Sequence, residues 1–482
     1  MRRPGHGFRA VFLSVSLLLC AAPIFADTIV LKNGRRIVAL YAVEEGDKVR
    51  YETSAGQLTL PKSIVDHIER GGVIDVHGAG KEATQLAITP PAAAVTLPGD
   101  EIARGAVHDG SIDREFIAKL EEEARSGANG SGQRAAMAHH AAAQFELSRG
   151  DYEHALQEER TALTFAPEQA TLLMNVAYLH LRRSEYKQAL DELDRAKRVE
   201  PESPDVHKLA GWAYYGLNKI GEAVAEWKRA LALRKDPEVQ AALEKAQRDL
   251  QEEQNYGENE SGHFTLRYSG AAQPALARDV LRVLEAHFRK IESELDYTPP
   301  DPIGVVLYTQ DAFVDITRAP AWVGALNDGR IRVPVEGLSN VSPELSRVLK
   351  HELTHSFLTQ RTHGRCPVWL NEGLAQWMEG QRSGENAATL VEIYDAKQFM
   401  SLGALEGSWM RLSGDSAAYA YAWSLANVEA VVQSDGMTDV TRILDRIARG
   451  GATEAAVREV LHGDYGDVMQ STARYLRKTY GR

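Results

Sequence analysis

The chain predicts a multidomain fold: a small N-terminal β domain, an α-helical solenoid and a C-terminal α+β domain. Three observations carry this reading. Short β-branched runs broken by turn dipeptides lie near the N-terminus, a residue pattern recurs every 34 positions, and amphipathic helices follow isolated strands beyond residue 257. A length of 482 residues exceeds what one ordinary core holds, so several domains are expected.

Residues 1–26 read as a signal peptide. Arg2, Arg3 and Arg9 precede an apolar run from Ala10 to Cys20, and Ala21–Ala26 supplies small residues before a cut after Ala26. The run is too short to span a bilayer comfortably. Leu19 stands where a lipidation signal at Cys20 wants a small residue. The expectation is export across the inner membrane to the periplasm, with extracellular release as the alternative, and no stable membrane insertion after cleavage. Cleavage leaves Cys366 as the sole cysteine, without an intramolecular disulfide, and it reads as a small buried hydrophobe. A net charge of −12 with no basic run argues against a nucleic-acid partner, because phosphate binding needs clustered Lys and Arg.

Residues 27–72 are expected to form the small β domain. Thr28–Leu31, Arg36–Leu40 and Lys48–Tyr51 are strand-like, and Asn33-Gly34, Glu45-Gly46-Asp47 and Ala55-Gly56 punctuate them. Residues 73–112 turn to Ala, Pro and Gly without periodicity and read as a flexible linker.

Residues 113–256 are assigned to helical repeats. Tyr152, Tyr186 and Ile220 are 34 apart, as are Ala155, Ala189 and Ala223, and Ala162, Ala196 and Ala230. Ala143, Ala177 and Gly211 keep the same step, while Pro167 and Pro201 close the first two units. Small residues at these places let paired helices approach closely. Period and residue types resemble the tetratricopeptide repeat. That resemblance implies a solenoid whose groove binds a protein or peptide partner.

Residues 257–482 form the α+β region. His263–Tyr268, Ile303–Tyr308 and Arg330–Val335 read as strands, the last demoted to an edge by Pro334. Leu276–Leu295 reads as an amphipathic helix. Then comes His351-Glu352-Leu353-Thr354-His355, inside a helix running from Pro343 to Gln360. Residues four apart share a helix face, so both imidazoles can bind one cation, as tetrahedral zinc requires. Glu352 is rotated by about 100° and suits a general base that takes a proton from water. A further helix opens at Trp369-Leu370-Asn371-Glu372-Gly373-Leu374-Ala375-Gln376, seventeen residues from His355 to Glu372.

This arrangement resembles the gluzincin metallopeptidases. The segment HELTHSF…PVWLNEGLAQW is similar to bacterial peptidase-MA-like domains found beside tetratricopeptide repeats. The resemblance covers about residues 260–480, with its strong motifs in 348–378. It implies one Zn2+ held by His351, His355 and Glu372, with Glu352 as base. A metzincin pattern would need Gly at Leu358 and His at Arg361, so it is excluded. His363 reads as a surface-turn histidine. Gln376, one turn beyond Glu372, could hydrogen-bond a ligand histidine where related enzymes carry a carboxylate. The resemblance further implies a tyrosine that stabilises the oxyanion. Alignment of the trailing aromatic and Leu favours Tyr419 over Tyr421, and the Arg330–Val335 edge would pair with an extended substrate.

The function expected from these readings is a secreted zinc-dependent peptidase, with repeats recruiting a protein substrate or partner. Ala319–Ala325 does not match the Gly-rich motif by which related aminopeptidases grip an amino terminus, which leans towards endopeptidase action. The competing reading is a non-enzymatic adaptor with a structural or vestigial zinc site.

Overall fold

The computed structural model describes residues 25–73 apart from 33–35, 40, 54 and 55, then 88–91, then 100–481 apart from 271–273, 318–324, 336, 410, 411 and 413. Contacts divide the chain into two compact units, residues 1–51 with 59–74 and residues 52–58 with 75–482. The signal-peptide reading falls almost wholly outside the described residues.

The N-terminal strands are β1 (Phe25–Leu31), β2 (Arg36–Ala39), β3 (Tyr41–Glu45), β4 (Lys48–Thr53), β5 (Gly56–Pro61) and β6 (Val65–Val73). They form two three-stranded sheets in the orders β2-β1-β6 and β3-β4-β5. β1 pairs antiparallel with both neighbours, and Ile29 at its centre is fully buried. The β1 strand starts at Phe25, so a cut after Ala26 would remove its first two residues.

The long stretch of the second unit starts inside the expected linker, and part of the linker reading is corrected. Residues 100–112 form α1 (Asp100–Ala106) and a hairpin of β7 (Val107–His108) and β8 (Ser111–Ile112). Buried Ala106 packs with Ile117 and Leu120, enough apolar contact to order a segment whose composition alone looked loose.

The repeat region runs through α2 (Arg114–Arg125), α3 (Ser131–Ser148), α4 (Tyr152–Phe165), α5 (Ala170–Arg182), α6 (Tyr186–Val199), α7 (Pro204–Gly216), α8 (Ile220–Leu233) and α9 (Pro237–Glu253). Helices α3 to α8 make three hairpins, and the second helix of each starts at a 34-residue step. The small-residue positions explain the close packing. Ala143 and Ala177 are buried, and a Cβ on Gly211 would collide with the Trp227 indole. Ile88 lies against this core, and the Pro90 carbonyl accepts from Lys208 Nζ at 3.4 Å.

The remainder comprises β9 (Gly257–Glu260), β10 (Phe264–Tyr268), α10 (Pro274–Leu295), β11 (Ile303–Tyr308), α11 (Gln310–Thr317), β12 (Leu326–Asn327), β13 (Ile331–Pro334), α12 (Pro343–Arg361), α13 (Val368–Glu379), α14 (Ala387–Asp395), α15 (Gly414–Ser434), α16 (Met437–Ala448), α17 (Thr453–Leu461) and α18 (Tyr465–Tyr480). The five-stranded sheet has the order β12-β13-β11-β10-β9, with β10, β11 and β13 parallel and the outer two strands antiparallel. The edge reading of Arg330–Val335 is therefore corrected. β13 is interior, and Pro334 closes it beside Tyr308, while the short β12 forms the edge.

The sheet joins the repeats through buried ions. Arg332 makes two bonds to Asp249 of α9, both 2.9 Å, and a third from Nε to Asp328 at 3.0 Å. Arg330 binds Glu253 bidentately at 2.7 and 2.9 Å, and Lys245 Nζ donates to Asp328 at 2.5 Å. Three cations thus face three carboxylates away from water. Burial pushes the Asp249 and Asp328 pKa values up, but Arg332 together with Arg330 at Asp249 and with Lys245 at Asp328 outweighs it, and both end below the ordinary carboxylate value. Removing one partner leaves an uncompensated buried charge. Arg332→Met is therefore expected to lower unfolding free energy by about 3–5 kcal/mol in urea melts, and a loss under about 1 kcal/mol would contradict this account.

A second contact is pH-sensitive. His363, at φ +56°, sits in a turn as expected, but it is half-buried and meets the Tyr152 ring of the first hairpin at 5.6 Å. Burial, with Arg183 nearby, pushes its pKa down to about 4; burial does the same to His287, whose Nε2 lies 2.9 Å from Ser346 Oγ. Both stay neutral in the fold, while the unfolded chain takes up their protons below about pH 6.5. Stability should be full above that value and fall as the pH drops from about 6.5 to 4. Urea midpoints against pH measure this, and His363→Gln should flatten the slope in that window.

Candidate metal centre

Helix α12 starts where Ser342 Oγ accepts from Leu345 N at 3.1 Å and Pro343 occupies the first turn. Leu345, Leu349, Leu353 and Phe357 recur every four residues and are fully buried. This apolar stripe turns His351 and His355 to the opposite side. The helix stops at Thr362, followed by His363 and Gly364, both at positive φ. The chain reverses there, and α13 brings Glu372 back beside the two histidines.

The donors converge. Glu372 Oε2 lies 3.7 Å from His351 Nε2, and its Oε1 lies 3.8 Å from His355 Nε2. One ligand atom from each residue fits within 4.8 Å of the others, and among the described residues this is the one His, Cys and carboxylate group that does so. Two imidazoles and a carboxylate are the donor types that zinc takes.

Surrounding groups aim the rings. His355 Nδ1 donates to Asn371 Oδ1 at 3.0 Å, leaving Nε2 free towards Glu372. His351 Nδ1 lies 3.5 Å from Glu379 Oε2, seven residues along the same helix from Glu372. Sequence reasoning missed Glu379 and chose Gln376. Instead, Gln376 Nε2 donates to the carbonyls of Glu372 and Tyr421, both at 3.1 Å, so it ties α13 to α15 and touches no imidazole. The spacing held a usable signal, since two helical turns separate Glu372 from Glu379 on one face.

Electrostatics fit a cation. Burial pulls the His351 pKa down, yet the hydrogen bonds it donates to Glu372 and Glu379, with the nearby carboxylate charges, overcome it and push it up to about 10. The cluster therefore demands positive charge, which a divalent ion supplies. Burial raises Glu372, but the two histidines lower it below an ordinary carboxylate. Glu352 behaves oppositely: burial raises its pKa and the histidines only partly offset that. The carbonyl of Glu352 accepts from Asn327 Nδ2 at 2.8 Å, and the same amide donates to Ser356 Oγ at 2.7 Å, fixing α12 to β12.

Tyr419 and Tyr421 stand two residues apart on α15 and so face different ways. Tyr419 stacks on Trp423, centroids 6.1 Å apart, and burial raises its phenol. Tyr421 is 42% exposed and meets Trp409 edge-on. Its pKa is raised first by the charge of Glu372, then by burial and by Glu352, so it is Tyr421 that faces the carboxylates. Gly373 permits the approach of α15, since a Cβ there would come within 2.5 Å of the Ser424 carbonyl oxygen. Cys366 lines the same cavity as His355, and burial holds its thiol well above its usual range.

Residues 290–477 match the family model of the Peptidase MA superfamily. The matched span contains α12, α13 and α15, and it supports a gluzincin-like peptidase domain with metallopeptidase-like function. Proteins of this superfamily are typically zinc-dependent, in keeping with the His-His-Glu cluster. No curated protein matches the chain.

The partner of His351 gives a direct test. Glu379→Ala should weaken zinc binding about 10–100-fold in competition with a chromophoric chelator, while circular dichroism stays that of the wild type. Unaltered affinity would show that Glu379 does not orient the ligand.

Proposed function

We propose that the chain is an exported, zinc-dependent peptidase in which His351, His355 and Glu372 hold one metal ion and Glu352 is the general base. The observation that carries this reading is the convergence of three donor atoms, with Glu352 beside them but outside the ligand group, inside the matched span. Zinc bound there would polarise the scissile carbonyl and make a water more acidic.

The chain's own groups do the rest. Glu352, with its affinity for protons raised by burial, takes a proton from the attacking water and delivers it to the leaving amine. Asn327 holds the backbone of Glu352 in place. Tyr421, rather than Tyr419, is the group that would donate a hydrogen bond to negative charge growing on the carbonyl oxygen. Asn371 and Glu379 keep the two imidazoles pointed at Glu372.

Three donors leave room for substrate, whereas structural zinc sites normally take four protein ligands. That favours an enzyme over the adaptor reading. The lean towards endopeptidase rests on Ala319–Ala325, of which residues 319–324 lie outside the described residues. The 34-residue step of the hairpins supports a tetratricopeptide-like partner-binding role. Export is supported by the pattern of residues 1–26, and none of the described helices is long and apolar enough to cross a membrane.

Glu352→Gln should cut peptide hydrolysis by about 10²–10⁴-fold with zinc content unchanged, read from cleaved termini of a mixed peptide library. Equal cleavage by both proteins would sink the assignment.

A further inference from the structure

The turns inside the three hairpins share one property at the 34-residue step. Gly150, Ser184 and Asn218 all take positive φ, +77°, +60° and +61°. Two of them contact the peptidase-like domain directly. The Gly150 carbonyl accepts from Arg365, which also binds the Ala448 carbonyl at 2.5 Å. Asn218 Nδ2 donates to Thr265 Oγ1 at 3.2 Å, and a Cβ on Gly304 would come within 3.2 Å of the Asn218 side chain.

The middle turn reaches the metal centre. Ser184 and Tyr186 line a cavity of about 280 Å³ whose other walls include His355, Glu372 and Asn371. This wall is braced from the other side. Asp301 Oδ2 accepts from the backbone N–H of Tyr186 at 2.6 Å and of Lys187 at 3.2 Å, capping α6 with a carboxylate from outside the repeats. The Tyr186 phenol in turn hydrogen-bonds the Ser184 side chain.

Ser184, Asn327, Ser356, Thr359, Gln360 and Asn371 give the cavity its chemical character, and all are uncharged hydrogen-bonding side chains. Gln360 Oε1 is buried and accepts no hydrogen bond from the protein. A buried acceptor of this kind rewards a ligand that donates to it and penalises one that cannot.

We propose that Ser184 is a specificity-determining residue of the cleft. The middle hairpin turn walls a subsite beside His355 that takes an uncharged, hydrogen-bond-donating substrate side chain, such as Asn, Gln, Ser or Thr. This rests on the peptidase reading and deepens it. The repeats form part of the cleft itself, besides any partner that they hold elsewhere.

Ser184→Asn and Ser184→Gly test this, because both residues accept the positive φ at this turn. The zinc-loaded full chain is given a mixed peptide library and its cleavage preferences are read by mass spectrometry. The Glu352→Gln chain, with and without each substitution, is used to retain peptides from the same library. The larger Asn should shift preference at one substrate position from Asn and Gln towards Ser and Thr by about tenfold, in cleavage and in retention alike. Gly should broaden that position, and zinc content should stay unchanged in both variants. Wild-type cleavage with preferences unmoved by either substitution would overturn this inference and leave the peptidase reading standing. Zinc bound, but nothing cleaved and nothing retained, would overturn both.

Discussion

Six formal charges share a space from which water is excluded: Lys245, Asp249 and Glu253 on α9, and Asp328, Arg330 and Arg332 at β13. Ions buried in this way are tolerated only when every charge finds a partner, and here cations and carboxylates match one to one. Tyr308 and Tyr215 add their hydroxyls, donating to Glu253 at 2.8 Å and to Asp249 at 3.1 Å. The position of the last repeat helix and that of the sheet are therefore a single constraint.

That constraint reaches the metal centre through two adjacent residues. Asp328 turns into the ionic cluster, while Asn327 turns the other way and holds the carbonyl of Glu352 and the hydroxyl of Ser356. A shift of the network would move β12, and β12 would carry α12 with it. On the far side, Gln376 and the missing side chain of Gly373 bring α15 and Tyr421 in against α13. The three donor residues come from two helices, yet their geometry is set by a sheet edge and a third helix. Such support matters because a donor misplaced by 1 Å costs much of its effect.

The clustering of His351, His355 and Glu372 was legible because its information is local. His351, Glu352 and His355 lie within one helical turn, and the Gly364–Pro367 break predicts the reversal that returns Glu372. The repeats were legible for a related reason, since small residues must recur wherever helices pack closely. The failures have a common cause. Pro334 marked its strand as an edge, and nothing local shows that Arg330 and Arg332 meet Glu253 and Asp249 from about 80 residues earlier, beside the nearby Asp328. The choice between Tyr419 and Tyr421 is of another kind, since it turns on helix rotation, which depends on how α15 packs. The linker reading failed at residues 100–112 because a few apolar residues in a polar, Ala- and Gly-rich stretch suffice when a neighbouring helix buries them.

Why a charged joint stands where an apolar one would also bury surface follows from the repeats themselves. A repeat array offers similar turns every 34 residues, so an apolar docking face would tolerate a slip by one hairpin. The N-terminal cap from Asp301 gives little protection, because each hairpin presents a comparable helix start. The ionic cluster is different. Thirty-four residues before Asp249 and Glu253 stand Tyr215 and Lys219. After such a slip, Arg330 and Arg332 would face a phenol and an ammonium group in place of two carboxylates. Stranding buried charges in this way costs about 3–5 kcal/mol for each broken pair. Only one register satisfies the cluster, and in that register the turn beside the metal centre carries Ser184.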